Sequence, residues 1–342
     1  MTDQLSSALQ KIFAGQDLTA EETHDAFSGI MDGQANNVEI AALLTALKMK
    51  GESVGEIVGA ARAMHQRATK IASNRSGLLD TCGTGGDNLQ TFNISTAVAI
   101  TAAAAGVPVA KHGNRSVSSS SGSADVLEAL GVNIQLTPEQ VTGCLVQLGI
   151  GFCFAPMIHG AMKHAAPVRK QLGFQTIFNL LGPLTNPADA QYQLLGANRP
   201  KTAEKLAHAL VQLKRKRALV VCGAGELDEV SLWGETMVFV VSGEKVTVER
   251  WTPKTFELSP CRVEDLQVAS AEESAAVIRN IFAAKQGPAR DIVLANTAAA
   301  LMAAERTEDP RAAILLAADA IDSGKAAQLC HRLAKISSSM ET

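Results

Sequence analysis

The chain has 342 residues, enough for one large or two modest domains, and 46% of them are hydrophobic, enough for a full core. Aromatic residues are only 4% against heavy alanine and glycine, which favours close helix–sheet packing over an aromatic-lined groove. A formal net charge of −3 excludes a chain built as a whole to bind a polyanion, so no nucleic-acid partner is expected.

Residues 1–72 are expected to form a small domain of helices only. Leu5, Leu9, Ile12 and Phe13 keep helical spacing, and Ile40, Leu43, Leu44 and Leu47 make a second apolar stripe. Thr19 with Glu22, and Ser53 with Glu56, are capping-box patterns. Gly15, Gly33 and Gly51 fall where helices would stop. The pattern predicts about four short helices whose apolar faces need a partner.

From about residue 75, short apolar runs alternate with helical ones. Strands are expected at 78–81, 107–111, 151–155, 193–197 and 218–222, with helices at 95–105, 124–130, 138–148, 157–172 and 202–213. Residues 237–241 and 245–249 read as a hairpin, and 271–305 and 310–337 return to helices. The Gly/Pro-punctuated stretch 178–188 reads as a loop crossing between the two parts. The expected fold class is α/β: a small N-terminal helical domain plus a larger α/β domain, 73–342, with a mostly parallel central sheet. Ligands of such sheets bind outside the carboxyl ends of the strands.

Two loops follow strands there. The first is Gly83, Thr84, Gly85, Gly86, Asp87. The second is Lys111, His112, Gly113, Asn114, Arg115 and a serine-dominated run to Ser123. Glycine lets the backbone approach a ligand, and successive N–H groups then make an anion-binding concavity. Ser95 and Thr96 suit the N-cap of the helix between the loops. Lys111 and Arg115 are the cations of the stretch. Two loops point to a ligand with more than one phosphate group. The first loop is neither a Walker A motif nor a dinucleotide fingerprint, because Asn88 stands where the last glycine of G-x-G-x-x-G would be. A tight strand–helix turn is the plain alternative for it.

Asp228 and Glu229 are adjacent acids after a buried strand. Beside a polyphosphate such a pair suits Mg²⁺; alone it is ordinary solvated surface. His159, Lys163, His164 and Arg169 fall on one expected helix, where a cationic stripe could hold an acidic substrate. The plain alternative is a solvated helix face. The six cysteines, Cys82, Cys144, Cys153, Cys222, Cys261 and Cys330, form no C-x-x-C pair, which argues against zinc. No run approaches the roughly 20 apolar residues of a membrane helix, and the start of the chain has no signal-peptide pattern. A reduced, cytoplasmic setting without a membrane partner is expected.

Taken together, these stretches resemble the anthranilate phosphoribosyltransferases. The matching text is DTCGTGGD at 80–87, TFNIST at 91–96, KHGNRSVSSSSGSAD at 111–125, FAP at 154–156, APVRKQLG at 166–173, TIFNLLGPLTNP at 176–187 and DEVSLWGET at 228–236. The resemblance covers nearly the whole chain. It implies a nucleoside phosphorylase/phosphoribosyltransferase-like fold, and a homodimer formed by the helical part. The implied activity is transfer of a phosphoribosyl group from phosphoribosyl pyrophosphate to anthranilate, a step of tryptophan biosynthesis. For the donor it implies Gly83, Gly86, Asp87, Thr91, Asn93, Ile94, Ser95, Thr96, Lys111, His112, Gly113, Asn114, Arg115, Ser116, Val117, Ser118, Ser119 and Ser123. For anthranilate it implies Gly83, Asn114 and Arg169, and for Mg²⁺ Ser95, Asp228 and Glu229. No catalytic base is implied. The family most often has arginine before TIFN, where this chain has Gln175. Two rival readings are a pyrimidine nucleoside phosphorylase-like enzyme and a non-catalytic relative that binds nucleic acid.

Overall fold

The computed structural model describes residues 3–116 and 121–340. It opens with α1 (Asp3–Phe13), α2 (Ala20–Met31), α3 (Asn37–Lys50) and α4 (Val54–Gln66). Thr19 and Ser53 cap α2 and α4 in the expected boxes with Glu22 and Glu56, and Asn36 with Glu39 makes a third on α3. Glu56 is fully buried, and Lys50 meets its carboxylate at 3.0 Å. A buried charge of this kind persists only when paired.

The strands are β1 (Leu79–Gly83), β2 (Val109–Gly113), β3 (Ile150–Phe154), β4 (Tyr192–Gly196), β5 (Arg217–Cys222), β6 (Thr236–Ser242) and β7 (Lys245–Trp251). Among the described residues they form one sheet of order β3-β2-β1-β4-β5-β6-β7. β1 to β5 run parallel, and β6 and β7 add the expected antiparallel hairpin. The other helices are α5 (Ile94–Ala104), α6 (Ser123–Ala129), α7 (Pro138–Leu148), α8 (Ala155–Ile158), α9 (Ala166–Leu172), α10 (Phe178–Leu181), α11 (Pro200–Gln212), α12 (Ala271–Phe282), α13 (Pro288–Ala303), α14 (Pro310–Asp322) and α15 (Lys325–Ser339). Among the described residues no helix is long and apolar enough to cross a membrane.

Both faces of the sheet are covered over its inner strands, which is why β3, β4 and β5 read as largely apolar runs, whereas β7 at the edge is mostly exposed. Along β5, Leu219 and Val221 enter one core with α5, α13 and β1–β3. Val220 and Cys222 enter the other, shared with α1–α4 and α9–α11. The alternation is that of a strand, whose successive side chains point to opposite faces. The helical bundle therefore buries its apolar stripe partly against the sheet.

Two expectations change. β1 and β2 run further than their apolar letters, through Gly83 and Gly113, because Gly83 pairs with Gly196 and Gly113 with Phe154. Residues 157–172 are not one helix. α8 stops at His159 (φ −102°, ψ 59°), a 3₁₀ turn spans Gly160–His164, and α9 starts afresh with Pro167 in its first turn. A proline lacks the N–H that a continuous helix would need there.

Winding starts at β1, moves through β2 to β3 on one side, then returns to β4 and β5 on the other. The order reverses between β1 and β4, so a crevice opens at their carboxyl ends.

Candidate active site

The crevice is a cavity of about 650 Å³. Its walls are the ends of β1 and β2, the start of α5, the segments after β3 and β5, and residues of α9 and α10.

The first loop leaves β1 under tight constraint. Thr84 N–H donates to the Gly196 carbonyl (2.9 Å), and Gly85 N–H donates to Asp228 Oδ2 (2.8 Å). Gly85 and Gly86 have φ of +66° and +82°, where other residues are strained. Room is short elsewhere too. A Cβ on Gly83 would lie 2.3 Å from Asp228 Oδ2, and one on Gly196 only 1.5 Å from the Asp228 carbonyl oxygen. Gly86 packs against the Gln175 amide, and its carbonyl accepts from Asn198 Nδ2 at 3.0 Å.

Asp228 and Glu229 stand half-buried on one wall with Asp87 beside them. Burial, and then the charge of Asp87, lifts the Asp228 carboxyl to about 7. Burial, then Asp228, pushes Glu229 well above the usual carboxylate range, although the Ser95 N–H favours its charged form. Burial also raises Asp87. Lys111 faces this wall from beneath. Its ammonium, lowered chiefly by burial, donates to the Thr81 carbonyl and to Ser95 Oγ (3.1 Å). Below it the buried Asp80 accepts from His112 N–H (3.0 Å) and Asn186 Nδ2 (2.8 Å).

His112 and His159 are a buried pair, with their Nε2 atoms 3.1 Å apart. Nδ1 of His112 lies 2.9 Å from the Gly182 carbonyl, which can only accept. That nitrogen therefore carries the proton, Nε2 accepts, and His159 donates from its own Nε2. Nδ1 of His159 is a buried lone pair with no partner among the described residues. Burial, then His112, drops His159 to about 3. An unfolded histidine takes its proton near 6.5. Between these values the unfolded chain holds more protons, so stability is expected to fall as pH drops through that window and to be complete above it. His159→Gln should flatten this acid slope by up to about 1.4 kcal/mol per pH unit. Urea midpoints from neutral pH down to about pH 4 read it, and a slope equal to wild type would refute the assignment.

Neither cation of the two loops is free. Lys111 is spent as above, and Arg115 pairs with Asp125 (2.8 Å) and Glu128, its guanidinium over the Phe154 ring at 5.8 Å. These carboxylates, Glu128 foremost, raise its pKa further. Arg169 differs. It is half-buried, burial lowers its pKa, and it lies 5.0 Å from the centre of the Phe178 ring. Among the described residues it has no ion pair. Lys163 also lines the cavity, whereas the His164 ring packs against Gly33. The expected stripe is thus divided: His159, Lys163 and Arg169 line the cavity, His159 as a buried neutral ring, and His164 does not.

Gly83, Gly86, Asp87, Thr91, Asn93, Ile94, Ser95, Lys111 through Ser116, Ser123, Arg169, Asp228 and Glu229 all line the cavity. Thr96 is outside the lining: it is fully buried, and its hydroxyl donates to Asn93 Oδ1. Val117, Ser118 and Ser119 lie outside the described residues. Asn93, rather than Ser95 or Thr96, is the N-cap of α5. Met64, Phe178, Asn179 and Pro183 also line the cavity without having been singled out as site residues. The signal for the last three was the punctuation of 178–188, read only as a crossing loop.

The site thus sits in a helical bundle joined to a doubly covered α/β sheet, with glycine loops around one acidic wall. The helical bundle domain of the glycosyl transferase family matches residues 6–68, and its a/b domain matches 75–327. The chain is 46% identical over 346 residues to the anthranilate phosphoribosyltransferase of Geotalea uraniireducens, covering 97% of this chain and 99% of that protein. The crystal structure of the Thermus thermophilus anthranilate phosphoribosyltransferase superposes with a TM-score of 0.92 at 41% identity, covering 97% of this chain and 99% of that one. The Saccharomyces cerevisiae enzyme in complex with PRPP and Mg gives 0.92 at 27% identity, with 99% of each chain covered. The chain belongs to the anthranilate phosphoribosyltransferase family, and it is a transferase.

Proposed function

We propose that this enzyme transfers the phosphoribosyl group of phosphoribosyl pyrophosphate to the amine of anthranilate, releasing pyrophosphate, in tryptophan biosynthesis. The observation that carries the reading is one cavity with two chemistries. Glycine loops and three carboxylates stand at the strand ends, and the cation of Arg169, without an ion pair among the described residues, lines the same cavity from α9. The donor belongs with the first group: Gly83, Gly86, Asp87, Thr91, the start of α5 and the run from Lys111. Anthranilate belongs between Gly83, Asn114 and Arg169, whose guanidinium can fork onto its carboxylate.

The acidic wall fits magnesium. Asp228 and Glu229, with Ser95 against Glu229, would hold the ion, and their raised pKa values mark carboxylates short of positive charge. Among the described residues no three His, Cys, Asp or Glu side chains close into a metal cage. Magnesium keeps several waters and takes one or two carboxylates plus substrate phosphates. When bound, magnesium supplies charge that stabilises the leaving pyrophosphate.

The amine attacks C1 of the ribose as the pyrophosphate departs, through an oxocarbenium-like transition state. The amine is neutral at pH 7, so no strong base is required. The glycine loops hold their backbone fixed in advance beside the charge growing on the leaving group. Most of the remaining rate comes from positioning two substrates in one pocket.

The same reading divides the chain near residue 72 and pairs two copies through the helical part. Phe13, Val38 and Met49 are 71, 78 and 84% exposed there, the last two about three turns apart on α3. A reducing, cytoplasmic setting suits six cysteines that are all free thiols.

Anthranilate fluorescence tests the activity. Loss is expected only when phosphoribosyl pyrophosphate and Mg²⁺ are both present. Persistence of the signal with both present overturns the reading.

A further inference from the structure

Asp125 is outside the cavity lining, in the first turn of α6, yet its two oxygens tie together the base of the serine-rich run. Oδ2 accepts from Ser116 N–H (3.1 Å) and from Gly122 N–H (2.9 Å). Oδ1 accepts from Arg115 Nη1 at 2.8 Å. One carboxylate thus holds the incoming arm of the run, its outgoing arm and the side chain at its start.

The two arms also touch directly. The Asn114 carbonyl accepts from Ala124 N–H (3.2 Å) and Ser123 Oγ (3.3 Å). A Cβ on Gly122 would lie 2.3 Å from Ser116 N and 2.6 Å from the Asn114 carbonyl oxygen. Glycine at 122 is what lets the arms come this close. Asn114, Arg115, Ser116 and Ser123 are cavity residues, so the clasp sets the shape of that wall.

We infer that Asp125 is a positioning residue for the phosphoribosyl donor, holding the Asn114–Ser116 backbone and Ser123 in the geometry that meets the donor's phosphates. The inference rests on the donor reading given above. Helix capping alone would account for the Gly122 bond, since an acid at the third helical position commonly reaches back to the cap. It does not account for the bonds to Ser116 and Arg115. Charge-assisted hydrogen bonds of this kind are the strong ones, and preorganised loops hold ligands more tightly than loose ones.

The test compares wild type, Asp125→Asn and Asp125→Ala in steady-state kinetics and in calorimetric titration with phosphoribosyl pyrophosphate and Mg²⁺. Asn keeps the shape and one acceptor oxygen but loses the charge. The donor KM and Kd are expected to rise roughly 10-fold in Asn and more in Ala, while the anthranilate KM rises less, because among the clasped residues only Asn114 also faces anthranilate. Melting curves accompany each variant, and if Ala does not fold, Asn decides. Unchanged donor affinity in folded Asp125→Asn overturns the inference, as does an equal rise in both KM values. A wild type that binds the donor without consuming anthranilate would remove the acceptor assignment and leave the Asp125 comparison standing.

Discussion

Asp228→Asn with Glu229→Gln is expected to lower kcat/KM roughly 1,000-fold and to abolish the response to Mg²⁺. Both substitutions keep side-chain shape and the Gly85 N–H contact, and both remove charge. A metal that neutralises a departing pyrophosphate supplies several kcal/mol of transition-state stabilisation. Each 1.4 kcal/mol is tenfold in rate. The fold should not suffer, because three carboxylates crowd one half-buried wall and two neutral amides relieve their repulsion. The double variant is therefore expected to melt at least as high as wild type. A magnesium titration at saturating substrates is the measurement, and a wild-type curve would remove the pair from the metal site.

Arg169→Ala is expected to raise the KM for anthranilate roughly 100-fold and that for the donor less than about threefold. Arg169 has no ion pair among the described residues and rests on the Phe178 ring, so its charge is available to an incoming carboxylate. A hydrogen bond to a charged group is worth up to about 3 kcal/mol, which corresponds to the expected factor. Arg169→Lys should fall between, since lysine keeps the charge but not the planar fork. Kinetics in each substrate separate the cases. A donor KM that rises as far as the anthranilate KM would show that Arg169 supports the whole cavity rather than the acceptor.

Short-range chemistry made much of this molecule legible. The boxes of Thr19 and Ser53, the start of α7 at Pro138 and the runs of β1 to β5 are written within a few residues. The glycine loops were legible for the same reason, because each directly follows a strand. What escaped depends on contacts between distant segments. Asp228 meets Gly85 across 143 residues, and His112 meets His159 across 47. Nothing near His159 in the chain marks it as a buried ring rather than part of a cationic face. Arg115 reads as a lone cation until Asp125 and Glu128 are placed around it. The broken helix at 157–172 is a different case. Pro167 marks the restart, but the helix-forming residues on both sides of it mask the break.

The two halves of the cavity are rooted in different cores. The start of α5 and the Asn114 wall grow from the core that holds Phe92, Ile94, Val109 and Ala124. Arg169 and the Phe178 ring grow from the one that holds Ala165, Val168, Ile177 and Leu181, together with the N-terminal bundle. On the reading proposed above, drift around Arg169 can change how the amine substrate is held from one side, while its contacts at Gly83 and Asn114 stay with the half that grips the sugar phosphate.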